Sequence, residues 1–100
     1  MDVSGYIKNG RKTVTTAGTR VQLMATGAVI DCDAIVIQPL PTNTGAIVVG
    51  GATCTLTAGS ESGTRLPASS QGITIPVSDP SKIYIDAEVN GEGVMYTYVG

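Results

Sequence analysis

The chain has 100 residues, a net charge of −2, 13 Gly and no His, Trp or Phe. That length carries one domain with one modest core. The missing His excludes histidine triads, histidine metal sites and imidazole pH switches. Six scattered Lys and Arg give no electrostatic footprint for a nucleic-acid backbone.

Val, Ile and Thr number 11, 9 and 13, well above the strong helix formers, and Gly and Pro punctuate the chain throughout. This composition predicts an all-β domain of short antiparallel strands. The opening MDVSGYIKNGRK has no apolar h-region, so no signal peptide is expected. Within it Val3, Tyr6 and Ile7 fit neither the strand nor the helix period, which predicts an N-terminal arm over residues 1–10 ahead of a single β-sandwich domain at 11–100.

Strands are expected at Lys12–Thr16 and Thr19–Met24, flanking a turn at Ala17-Gly18. The next, Ala34–Gln38, is apolar on both faces and is expected to be covered on both sides. PLPTNTG at 39–45 ends it with two prolines and turn chemistry. Ala46–Val49 and Thr53–Thr57 follow, and then a Ser/Gly-rich loop over 58–71.

Gly72–Val77 places Ile73, Ile75 and Val77 on one face. Lys82–Val89 alternates most clearly. Ile83, Ile85, Ala87 and Val89 are expected in the core, with Lys82, Tyr84, Asp86 and Glu88 outside. Asn90-Gly91 is a two-residue hairpin signal, expected to return Glu92–Val99 beside the preceding strand. Eight strands at this spacing predict a small antiparallel β-sandwich with a possible jelly-roll order. AGTR at 17–20 and SGTR at 62–65 hint at duplication, although convergence in a Thr/Gly-rich chain explains them as well.

Asp31 and Asp33 share a strand face, as do Asp86 and Glu88, with Glu92 placed across the expected hairpin. Such pairs suit Ca²⁺ or acid–base work, but without an acidic cluster around them they read as solvent-facing decoration. Ser60, Ser62, Ser69 and Ser70 lack a base at any diagnostic spacing. No phosphate-cradling or nucleophile-elbow motif is present, so no enzyme is expected. Tyr84, Tyr96 and Tyr98 form a binding patch or a cross-strand ladder. Cys32 and Cys54 are expected as free thiols rather than a bridge. Ala34–Ser60 carries no charge, which fits either an interface centre or an ordinary core segment.

The strings AGTRVQL, IVIQPLPTNTGAIVVGG and GITIPVSDPSKIYIDAEVNGEGVMYTYVG resemble the capsid decoration (cement) and head-associated virion proteins of tailed bacteriophages, from about Arg11 to Gly100. The resemblance implies a non-enzymatic structural role: binding the outer surface of the major capsid protein lattice, as a homotrimer, on the virion after synthesis in the host cytoplasm. It implies no cofactor; the residues themselves, with no His, few Lys and Arg and an apolar run broken by Pro39 and Pro41, lead us to expect no metal, no nucleic acid and no membrane as partner. The expected protein contacts are Tyr6 and Ile7 of the arm, Pro39, Leu40, Pro41, Thr42, Asn43 and Thr44 of the turn, and Arg65 and Leu66 of the long loop. The alternative is a receptor- or glycan-binding module of a tail or head fibre, using the tyrosines and the 58–71 loop.

Overall fold

Alternating apolar residues demand a partner surface, and here each of two sheets supplies it to the other. The computed structural model describes residues 5–28 and 31–100. Its strands are β1 (Ile7–Thr13), β2 (Val21–Gln22), β3 (Ala34–Pro39), β4 (Ile47–Gly50), β5 (Thr64–Leu66), β6 (Ile73–Ile75), β7 (Tyr84–Ala87) and β8 (Gly93–Val99). They form two four-stranded sheets, ordered β1-β8-β3-β6 and β2-β7-β4-β5. All ladders are antiparallel. The pairs β4–β5, β3–β6, β2–β7 and β1–β8 are those of one long hairpin folded back on itself. The ladders β8–β3 and β7–β4 form when that ribbon rolls up. This is the eight-stranded jelly roll, as the strand count and spacing predict.

One core lies between the sheets. Ile35 and Ile37 of β3 and Val94 of β8 meet Ile47 and Val49 of β4, Leu66 of β5, and Ile85 and Ala87 of β7. Val14, Leu23 and Ile83 close it from the connections, and none of these residues is more than 5% exposed. Ile73, Ile75 and Val77 pack on its margin, on one face as expected. Cys32 and Cys54 are buried free thiols, and burial pushes both pKa values up.

Several local expectations are corrected. Residues 7–10 are the first part of β1, paired with Tyr96–Val99, and Tyr6 exchanges backbone hydrogen bonds with Gly100 at 2.8 and 3.2 Å. From Tyr6 onward the expected arm is therefore part of the sheet; residues 1–4 lie outside the described residues. Backbone pairing with β8 holds this stretch despite its poor apolar period, because an edge strand needs only one ladder. The expected strand at Thr53–Thr57 contributes just an isolated bridge, Thr55 to Ser62, while Thr64–Leu66, expected in a loop, pairs with β4.

Asn90-Gly91 does not join neighbouring strands. β7 and β8 lie in different sheets, and the five residues 88–92 carry the chain across the roughly 10 Å between them. The Glu92 amide donates to the Val89 carbonyl at 3.3 Å, and Gly91 alone has a positive φ, 81°. One left-handed residue at the third position suits a type II turn, whereas a type I′ hairpin needs two. Val89 is 39% exposed as a result, whereas Asp86 is 1% exposed, the reverse of the expected facing. Val36 is 40% exposed, so β3 is covered on one side only.

The crossing is pinned at its end. Glu92 accepts the Thr44 amide at 2.7 Å, the Thr44 hydroxyl at 2.9 Å and the Gly45 amide at 3.0 Å. Beside it the Asn43 amide donates to the Gly93 carbonyl at 2.8 Å. The Gly45 and Thr44 donors hold the Glu92 carboxyl below its ordinary pKa. A lowered folded pKa contributes stability above the unfolded value near 4.3, and that stability is lost as pH falls through the folded one. Glu92→Gln should therefore lower the melting temperature at pH 7, and the gap from the parent should narrow as pH falls below about 4. Melting curves from pH 7 down to pH 3 check this; a constant gap would contradict it.

Candidate functional site

Alternation along the first sheet sends its other set of side chains to solvent. The pairing registers arrange them in rows. Ile7, Val99 and Ala34 form one row across β1, β8 and β3. Asn9, Thr97, Val36 and Thr74 form the next, and Arg11, Met95 and Gln38 the third. Ile7 is 76% exposed, Val36 40% and Val99 37%; with Val89 they are the exposed large hydrophobics among the described residues. Arg11 is the single charged residue in these rows.

The centre of the outer face of the second sheet is covered, while Arg65 and Tyr84 on its margins keep exposure. Val48 and Asp86, paired across β4 and β7, are 2% and 1% exposed. Two connections lie over them. Asp86 accepts the Gly18 amide at 3.0 Å, Arg20 donates to the Cys54 carbonyl at 3.3 Å, and the space above Val48 is filled by Gly63. Sheet 1 thus presents a bare, nearly uncharged face where sheet 2 does not. Strand spacing and rise give it roughly 300–400 Å², about half of what each partner buries in a standard stable interface.

The ten residues expected as contacts divide into several groups. Pro39, Leu40, Asn43 and Leu66 are buried: Leu66 packs in the core, and Asn43 braces the start of β8. Pro41, Thr42, Thr44 and Arg65 are exposed. They sit toward the end of the sandwich where β8 begins, and Thr44 is already bound to Glu92. Arg65 reaches Glu88 at 3.6 Å with both side chains exposed, a contact of little energetic weight. Tyr6 and Ile7 lie at the other end of β8, six residues or about 20 Å away. Of the ten, Ile7 alone belongs to the bare face. Val36, Met95, Thr97 and Val99 complete that face and were not among the expected contacts; the uncharged alternation Met95, Thr97, Val99 was their sequence signal.

Tyr96 and Tyr98 share a side of β8, their rings 6.1 Å apart. Tyr84 does not join them, because it lies in the other sheet. Tyr6 takes that place, edge-on to Tyr98 at 6.0 Å, with its hydroxyl donating to Asp31 at 3.1 Å. Asp31 and Asp33 are exposed as expected, whereas the other three carboxylates expected as decoration instead hold backbone: Asp86 accepts from Gly18 and Ala87, Glu88 from Ala46 at 2.7 Å, and Glu92 from Thr44 and Gly45. Among the described residues no three His, Cys, Asp or Glu side chains gather as a metal site would require. No family model, curated protein or solved structure matches the chain.

Partial desolvation, then the hydrogen bond to Asp31 and its charge, push the Tyr6 phenol up to about 12. A raised phenol pKa means the fold favours the neutral form. Its contribution is complete below the unfolded value near 10 and is lost as pH climbs toward about 12. Asp31→Asn should bring the Tyr6 midpoint down, read from its ring resonances during an alkaline titration. An unchanged midpoint would disconnect Asp31 from the shift.

Proposed function

We propose that this chain is a non-enzymatic structural protein of a tailed-phage virion, binding the outer surface of the major capsid lattice through the outer face of sheet 1. The observation that carries the reading is the asymmetry of the two faces: one sheet is covered at its centre by its own connections, and the other leaves Ile7, Val36 and Val99 in solvent with Arg11 as its single charge. Charge depletion around exposed apolar residues is the composition of an interface centre. The capsid as partner comes from the resemblance of the 37–45 and 79–94 segments to decoration proteins. The jelly roll recurs in viral capsid and lectin domains alike, so the fold favours neither this partner nor a glycan.

The size of the face sets the mechanism. A patch of roughly 300–400 Å² gives weak one-to-one binding. Binding to an ordered lattice becomes strong when copies act together, and a homotrimer spanning neighbouring capsid subunits supplies that gain. A ligand that binds only the assembled lattice stabilises it by mass action.

Val36→Asp places an unpaired charge at the centre of the face without touching the core. Co-sedimentation with particles lacking this protein should show affinity reduced at least about tenfold, or 1.4 kcal/mol, with the melting temperature within about 2 °C of the parent. Val89→Asp, at the sheet-crossing turn, should bind as the parent does. Full binding by Val36→Asp would overturn the assignment of the face.

A further inference from the structure

We infer a second binding site, for an acidic sugar residue, in the open groove beside β1. The groove exists because the sandwich does not close there. β1 has seven residues and β2 only two. Past Gln22 no strand among the described residues faces the free edge of β1, and Tyr96 and Tyr98, directed inward from β8, stay half-exposed. The groove holds about 590 Å³ and is lined by Arg11, Lys12, Gln22, Met24, Tyr96 and Tyr98, together with three small or apolar neighbours. That volume lies within the range of small-ligand sites.

Two features converge on one ligand chemistry. The Tyr96 and Tyr98 rings are inclined by only 32° at 6.1 Å, forming a shallow aromatic floor suited to the apolar face of a pyranose. Gly10, opposite Tyr96 in the ladder, leaves that ring its space, since a Cβ there would lie 2.6 Å from the Tyr96 hydroxyl. Lys12, on the inner side of β1, borders the groove, makes no ion pair among the described residues, and shares it with no Asp or Glu; Arg11 belongs to the outer face and meets the groove only at its rim. In a chain of net charge −2 this is a local excess of positive charge.

Gln22 borders the groove from β2, but its side chain lies opposite Tyr84 on the outer side of sheet 2, where its amide nitrogen donates to the Thr26 hydroxyl and the Ser81 carbonyl, both at 3.1 Å. A neutral sugar would leave Lys12 without a partner, and a bare anion would leave the aromatic floor unused. A uronic-type sugar, carrying a carboxylate on a hydroxylated ring, satisfies both. The groove lies inside the sandwich edge and not on the outer face of sheet 1, so it stands independently of lattice binding.

The test is an NMR titration of the full chain with trigalacturonate, with its methyl ester and with acetate. Trigalacturonate should shift the resonances of Lys12, Tyr96 and Tyr98. The methyl ester should bind at least about fivefold more weakly, and acetate should leave the tyrosines unmoved. Lys12→Met, which keeps the aliphatic stem, should weaken trigalacturonate by a similar factor while particle binding and melting temperature hold. Tyr98→Phe should retain binding, because the ring face is what the sugar meets. Absence of shifts, equal affinity for the ester, acetate moving the same residues to the same extent, or an unaffected Lys12→Met would each overturn the site.

Discussion

β8 is the constraint on which the rest depends. It pairs along its length with β1 on one side and β3 on the other, joining residues near both ends of the chain to its middle. Neither β1 nor the β3–β6 pair has another route into a four-stranded sheet. These contacts are distant in sequence, so their closure entropy is offset only when several ladders form together. The turn before β8 fixes where it starts: Asn43 and Glu92 tie Gly93 to the β3–β4 connection. A one-residue slip of β8 would turn Val94 out of the core and Met95 into it.

Both candidate surfaces follow from that register. Val94, Tyr96 and Tyr98 point to the inner side, and Met95, Thr97 and Val99 to the outer. The inner tyrosines floor the groove where β2 is too short to cover them. The outer residues are the middle column of the bare face. Sheet 2 keeps no such face because the segments around Gly18 and Cys54 fold across it. Backbone and side-chain hydrogen bonds from Gly18 to Asp86, Arg20 to Cys54 and Cys54 to Tyr84 hold them there. Exposure on sheet 1 is therefore a property of this chain's connections and not of a two-sheet sandwich in general.

Much of the fold is legible in the amino-acid sequence. The alternation at 83–87 names core residues correctly, and β-branched composition with Gly and Pro punctuation gives the all-β class. Pairing partners are less legible, because a turn signal does not say whether the chain stays in its sheet. Asn90-Gly91 makes a turn with one positive φ, at Gly91, and carries the chain across the sandwich. β1 is hidden because its inner positions are Lys8, Gly10 and Lys12, facing tyrosines at an open edge rather than a closed core. Asp86 reads as a surface residue because nothing local announces the distant loop that covers it. The charge-free run 34–60 points toward an interface but to the wrong part of it: the bare face draws on β1, β3, β6 and β8, and β3 alone lies within that run.

Hydroxyl-radical footprinting of the protein free and on particles tests the proposed contact face most directly. The account predicts that Met95, Val36 and Ile7 lose reactivity on binding while Tyr84, on the opposite sheet, keeps its own. Protection of Pro41 and Tyr84 with Met95 and Val36 still reactive would contradict it, and would place the contact at the end loops and the second sheet instead.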